Sequence, residues 1–205
     1  GLALPLGAST DGTCKAFSGT VRGHGHAIEG LVLGGSEFPD AGLFCCIKDA
    51  TVVDLVIGAS CSFTGSSAGA LSITVNGSVV LKNVVNKAAV SGSDSVGGLI
   101  GLVNEQKQGQ ETLTFDGCRN EGSVSGVKSV GGFLGSFANN SAMDVFISNS
   151  VNSFTVFGET SVGGFVGVVS QTTDSMFTIL NSTSNGSFLQ GNNQTGGLIG
   201  FVHQN

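Results

Sequence analysis

The chain has no tryptophan and no tyrosine, only two prolines, and takes all its aromatic residues from phenylalanine. Charge is scarce too: eight Lys+Arg stand against fourteen Asp+Glu in 205 residues, a net of −6. So few cations form no basic stripe, and nucleic acid is not an expected partner. Sparse charge combined with 40% apolar content argues against disorder, which needs the opposite balance. No apolar run reaches the roughly 18–20 residues of a membrane span. No segment keeps i, i+3, i+4 apolar spacing long enough for a helix, so helix content near zero is expected. The sequence also lacks the C-x-x-C spacing of zinc sites and the D-x-D-x-D-G loop of calcium sites. No cofactor is expected.

What the chain does have is glycine, 34 residues of it, without the three-residue period of collagen. Its length makes a single domain the first expectation. The opening Gly1-Leu2-Ala3-Leu4-Pro5-Leu6 is apolar but has no Met and no basic flank, so it reads as a mature or trimmed terminus rather than a signal peptide. Residues 1–16 are expected to form an amino-terminal segment or cap, and residues 17–205 a single repeat domain.

The repeat is explicit. Gly97-Gly98, Gly131-Gly132, Gly163-Gly164 and Gly196-Gly197 recur at intervals of 34, 32 and 33 residues. Windows 81–103, 115–137 and 147–169 align without a gap, and window 179–202 aligns with one inserted residue. The sixth position is Asn86, Asn120, Asn152, then Ser184, and the tenth is Val90, Val124, Val156, then Phe188. Each doublet is followed by Leu99, Phe133, Phe165 or Leu198, a second apolar residue, and a third glycine at 101, 135, 167 or 200. Weaker coils occupy 17–80, where Ala41-Gly42-Leu43-Phe44 and Ala68-Gly69-Ala70-Leu71 resemble the doublet with Ala in place of its first Gly.

Apolar stretches of three to five residues, broken by Gly, Asn and Ser, make short strands and tight turns. A unit this small cannot bury its own apolar side, so neighbours must stack. The expected fold is therefore all-β: a parallel β-helix, or β-solenoid, of about six or seven coils with almost no α-helix. Charges test the register independently. Lys82, Lys87 and Asp94 share columns with Asp116, Glu121 and Lys128, opposite in sign every time. The asparagine column is expected to form a stacked amide ladder. The third glycine, lying inside a strand, is expected to permit a bulge or close packing.

These residues resemble the GLUG-type repeat of cell-surface proteins. Asn120-Glu121-Gly122-Ser123-Val124-Ser125-Gly126 followed by Val130-Gly131-Gly132-Phe133-Leu134-Gly135 carries the resemblance. So does the opening Phe17-Ser18-Gly19-Thr20-Val21-Arg22-Gly23-His24-Gly25-His26-Ala27-Ile28-Glu29-Gly30-Leu31. Cys45 stands where the third glycine belongs. The resemblance covers about residues 17–202 and implies a secreted or surface-anchored, non-enzymatic module, often a stalk, of bacteria or protists. It also gives His26 a structural hydrogen-bonding role, against the alternative that His24 and His26 form half a metal site.

Other candidate sites follow from residue types. The acids Asp54, Asp94, Asp116, Asp144 and Asp174 are scattered rather than stacked, unlike the clustered carboxylates of a β-helix glycosidase or lyase. Five cysteines leave at least one unpaired within the chain. Cys118 replaces Val84, Ser150 and Ser182 in its column and reads as a buried thiol. Cys14, Cys45, Cys46 and Cys61 crowd the amino-terminal coils, where one or two disulfides, for example Cys14 to Cys45 or Cys46, would fit an oxidising compartment. Sequons fall at Asn76, Asn139, Asn181, Asn185 and Asn193, expected glycosylation sites in a eukaryote and without meaning in a bacterium.

Strict alternation along Leu99–Val103 leaves a second apolar face at Ile100 and Leu102, repeated at Leu134, at Val166 and Val168, and at Ile199 and Phe201. Either the connectors 104–114, 138–146 and 170–178 cover it, or another subunit does. After Val202 completes a strand only three residues remain, so open strand edges suggest a piece of a longer stalk or end-to-end stacking. The expected function is an extracellular, glycosylated structural module of a stalk or filament, self-associating end to end or laterally. An adhesin binding a cell surface or carbohydrate is the alternative, and a carbohydrate-active enzyme ranks third.

Overall fold

The computed structural model describes residues 4–9, 11–35, 38–103, 110–137, 143–171, 175–186 and 189–204. Among them there is no helix; every regular element is a strand. The strands gather into four parallel sheets of ten, six, six and five strands. One circuit of the chain visits each sheet in turn, which defines a β-solenoid. The two six-stranded sheets span five steps from first strand to last, so the solenoid makes about five turns, slightly fewer than six or seven.

In register the columns match the repeat. Asn120 pairs with Asn86 on one side and Asn152 on the other. Val124 lies between Val90 and Val156. Gly131 lies between Gly97 and Gly163. Two pairings differ from the expected alignment. Leu189, not Phe188, pairs with Val156. The extra residue of the last window therefore enters before this strand, and Phe188 itself falls outside the described residues. Ala68 pairs with Val96 and Gly69 with Gly97. In the weak coils the alanines thus occupy the valine column, and the first glycine is retained at 69. The next residue, Ala70, takes the place of the second.

The ten-stranded sheet explains where the connectors arise. Phe44–Val53 and Ser72–Lys82 are long continuous strands, with a register shift between Lys48 and Ala50. Ser72–Lys82 then pairs with two separate strands of the next coil, Ile100–Val103 and Glu111–Asp116. Later coils insert their connector at the point where the early coils carry only a bulge.

One core runs the length of the solenoid. Leu81, Phe115 and Ile147 stack within it, as do Leu99, Phe133 and Phe165, all with no exposure. Ring centroids of Phe133 and Phe165 are 4.9 Å apart, edge to face, an arrangement favoured by the ring quadrupoles. Each such side chain contributes on the order of 1.5–3 kcal/mol on burial.

The expected interface set needs correction here. Ile100, Leu134 and Val166 have no exposure and belong to this core, not to an outer face. Ile100 and Val103 are three residues apart yet both buried in one cluster, which strict alternation forbids. The phase changes at Gly101, where an added Cβ would lie 2.9 Å from Ile73 O and 3.1 Å from Ala68 O. Of the expected residues in the regular coils, Leu102 and Val168 are half-buried on the outer column, with Ser136 between them; Ile199 and Phe201 are half-buried in the last coil. Where the third-glycine column carries a side chain, at Cys45 and Ile73, it enters a small second cluster with Phe38, Leu4 and Ala8.

Candidate functional site

The most specific polar arrangement is a buried amide ladder. Asn86, Asn120 and Asn152 are essentially fully buried. Asn86 Nδ2 donates to Asn120 Oδ1 at 2.9 Å, and Asn120 Nδ2 donates to Asn152 Oδ1 at 2.9 Å. Asn152 Nδ2 ends the run on Ser184 Oγ at 3.3 Å. Two of the amides also close their own turns: Asn86 Oδ1 accepts from Ala88 N–H, and the Nδ2 groups of Asn86 and Asn120 donate to Ala88 O and Gly122 O. Burying such groups without partners would cost several kcal/mol, of order 2–7 each. The ladder satisfies them and so favours one register over its neighbours.

A second polar column lies outside. Asp54, Asn83, Asn149 and Asn181 adopt positive φ of 54°, 52°, 52° and 49°, with Gly117 at 65° in the same series. Asn and Asp tolerate this left-handed corner better than other non-glycine residues. Asn83 Nδ2 donates to Asp54 Oδ1 at 2.8 Å, and Asn149 Nδ2 donates to Asp116 Oδ1 at 2.9 Å. Hydrogen bonds from the Asn149 and Ser148 side chains, helped by the Lys82 ammonium, hold the Asp116 carboxyl below the usual aspartate range. The sequence signal for this column is the recurrence of Asn, Asp and Gly one residue beyond each long strand, which the window alignment passes over.

The cross-coil charges fall as expected for two pairs. Lys82 Nζ lies 3.9 Å from Asp116 Oδ2, and Lys87 Nζ lies 3.7 Å from Glu121 Oε2. Asp94 and Lys128 share a column but form no ion pair among the described residues. Arg119 Nε also reaches Glu121 Oε1 at 2.8 Å. These side chains are half-exposed, so each pair contributes only about 0–1 kcal/mol.

Cys14 and Cys45 form a disulfide that ties the amino-terminal segment to the first long strand. Leu6 bridges Phe44 in parallel and Ala8 bridges Cys14 antiparallel beside it. Cys46 and Cys61, the other disulfide candidates, remain thiols. Cys61 instead donates to Ile28 O at 3.3 Å and accepts from Leu31 N–H at 3.4 Å. Cys46 Sγ accepts from Asn76 Nδ2 at 3.4 Å. Cys118 is a buried thiol, and burial pushes its pKa up to about 12.

The sequons separate by accessibility. Asn181, Asn185 and Asn193 are exposed. Asn76 is half-buried within a long strand with its amide on Cys46. Asn139 lies outside the described residues. His24 and His26 are exposed, and the turn there is held by backbone: His26 N–H donates to Gly23 O. Among the described residues no group of three or more His, Cys, Asp or Glu could hold a metal ion. Asp54, Asp94, Asp116 and Asp144 stay dispersed; Asp144 accepts from Met176 N–H and Gln110 Nε2. Asp174 lies outside the described residues.

No family model matches the chain. It is 37% identical over 98 residues to halomucin of Haloquadratum walsbyi, a match covering 47% of this chain. The chain spans about 1% of halomucin's own length. Among solved structures it is similar to a proposed immunoglobulin A1 protease from Bacteroides ovatus, with a TM-score of 0.55 and 15% identity. That match covers 98% of this chain and 72% of the other, and at such identity it bears on the fold alone.

Proposed function

We propose that this chain is an extracellular structural module of the GLUG-repeat type, a β-solenoid that builds a surface stalk or filament and carries sugar on exposed asparagines. The observation that carries this reading is the unbroken stacking itself. The polar side chains of the repeats go chiefly into coil-to-coil register, from the buried asparagine ladder to the outer turn column, rather than converging on one pocket. The Cys14–Cys45 disulfide supports an oxidising, extracellular setting. The likeness to halomucin, a mucin by name, supports a surface role. A non-enzymatic role agrees with the dispersed carboxylates.

An adhesin is the second reading, and exposed apolar side chains on the outer wall favour it. Phe154 and Phe157 are 45% and 43% exposed, and Val127 38%. Such a surface suits contact with another protein or a cell surface.

Intact-mass measurement and electron microscopy of native material test the proposal together. The expected result is rods or fibres one solenoid wide, with added mass at Asn181, Asn185 or Asn193. Bare asparagines at every sequon remove the glycan part, and compact particles that never form or join a rod remove the structural one.

A further inference from the structure

Asparagine or aspartate precedes glycine four times, at Asp11-Gly12, Asn76-Gly77, Asp116-Gly117 and Asn185-Gly186. Such pairs are open to attack by their own backbone, because glycine puts no side chain in the way of its nitrogen. The attack needs a side-chain Cγ free to turn and a glycine N–H not committed to an acceptor. The fold decides which pair has both.

Three pairs are tied down. Gly12 N–H donates to Ser9 O at 3.0 Å, and Asp11 Oδ1 accepts from the N–H and hydroxyl of Thr13 at 2.9 and 2.7 Å. Gly117 N–H donates to Ser148 O at 3.0 Å, and Asp116 Oδ1 accepts from Asn149 and Ser148. Asn76 is half-buried in the long strand Ser72–Lys82, where its amide donates to Cys46 Sγ at 3.4 Å. Just beyond that pair, Ser78 N–H donates to Asp49 Oδ1 at 3.0 Å and fixes the backbone.

Asn185-Gly186 is free. Asn185 is exposed, and among the described residues neither its side chain nor the Gly186 N–H has a hydrogen-bond partner. This freedom belongs to the repeat, since interior coils show it too. The N–H groups of Lys87, Glu121, Ser153 and Asn185 each donate back to the preceding coil, to Ile57, Asn86, Asn120 and Asn152 O. Their side chains form one column, and those of Lys87 and Glu121 are 46% and 31% exposed with a coil on either side. The next N–H is unbonded at Gly122 and Phe154 as well. Packing also dictates the glycine: a Cβ on Gly122 would collide with Ala88 O, and one on Gly186 with Phe154 O. The interior pair Glu121-Gly122 offers a carboxylate, a poor electrophile. At 185 the same turn offers an amide.

We infer that Asn185 is a self-modifying site, converted without an enzyme to aspartate and isoaspartate. Gly186 N gives its proton to solvent base and bonds to Asn185 Cγ. The Cγ–Nδ2 bond breaks, and ammonia leaves with a proton from water. The cyclic imide then takes up one water, opening at Cγ to aspartate or at the main-chain carbonyl to isoaspartate. The product adds a negative charge and ends the Asn185-Gly186-Ser187 sequon. Sugar on Nδ2 and this cyclisation exclude each other, so the chemistry goes beyond the structural-module reading and meets it at one asparagine only.

Asn76-Gly77-Ser78 and Asn185-Gly186-Ser187 are the same triplet, which supplies an internal control. The 205-residue chain, made in a host without N-glycosylation, is aged in mildly alkaline heavy-oxygen water and mapped by peptide mass spectrometry. In the folded chain, label should enter at Asn185 about tenfold or more faster than at Asn76, whose strand must open first. In urea the two rates should converge. Enzymatic methylation should find isoaspartate beside aspartate at 185. Gly186→Ala should slow the conversion severalfold, and its rate is compared in urea as well, where the collision with Phe154 plays no part. Equal rates at the two triplets in the folded chain, a product at 185 without isoaspartate, or an unchanged rate for Gly186→Ala in urea overturns the inference. Sugar and fibres play no part in these readouts, so the broader functional reading stands or falls separately.

Discussion

Asn120 fills the space that Gly98 leaves one coil away: its Oδ1 lies 2.7 Å from where a Gly98 Cβ would sit. The same oxygen accepts from Asn86 Nδ2. Two columns that look independent in the sequence, the asparagine and the second glycine of the doublet, are thus the two halves of one contact. The weak coils relax the match. Where the ladder residue is Ile57, the second glycine is absent, and where it becomes Asn86, Ala70 stands there.

Asn120→Ala should destabilise the fold by about 1–3 kcal/mol, because Asn152 Oδ1 loses its donor inside the core. Gly132→Ala should cost a similar amount, about 1–3 kcal/mol, by overpacking against Gly164 O and Asn152. Urea unfolding of the two variants measures both. Wild-type stability in either would contradict the socket-and-amide account.

The turn column predicts a titration. Asp116 has its carboxyl pKa lowered chiefly by Asn149, then by Ser148, with Lys82 helping. A folded pKa below the unfolded value means that this contact stabilises above the unfolded aspartate pKa of about 3.9. The contribution is lost as pH falls through the folded value. Asn149→Ala should move the Asp116 pKa up toward the ordinary value in a carboxyl NMR titration. An unmoved pKa would assign the shift to another cause.

Much of this fold is legible in the residues alone. The doublet period, the short β-branched segments and the opposite charges at Lys82/Asp116 and Lys87/Glu121 are all consequences of stacking like on like, so they appear directly when the repeats are aligned. Less legible are features set within one coil. The burial of Ile100, Leu134 and Val166 depends on a phase change at a glycine, which a period-two reading of the strand cannot anticipate. The choice of Cys45 over Cys46 depends on which face of the first long strand meets the amino-terminal segment. Adjacent strand residues face opposite ways, so the two cysteines look equivalent by spacing and are not equivalent in space. The left-handed corner at Asp54, Asn83, Asn149 and Asn181 leaves a signal in residue type, but it mixes Asp, Asn and Gly and so lacks an obvious consensus.

The thiols give a chemical check. With its pKa raised to about 12 by burial, Cys118 should resist alkylation in the native protein at about pH 8.5, where an ordinary thiol is half ionised. Unfolding without reductant should expose Cys46, Cys61 and Cys118 to label, while Cys14 and Cys45 stay blocked until reduced. Peptide mapping that finds Cys14 linked to Cys46 would contradict the arrangement of the amino-terminal segment.

Register between successive coils is the claim on which everything else rests, and engineered cross-linking reads it directly. Lys82 and Asp116 are partners across adjacent parallel strands, within the Cα separation of about 4.4–6.8 Å that a disulfide spans. The double variant Lys82→Cys/Asp116→Cys should close an intramolecular disulfide under mild oxidation, identified by mass spectrometry of the linked peptides. The mismatched pair Lys82→Cys/Glu121→Cys should not. Equal cross-linking of both pairs, or closure of the mismatched pair alone, would mean that the coils do not stack column on column.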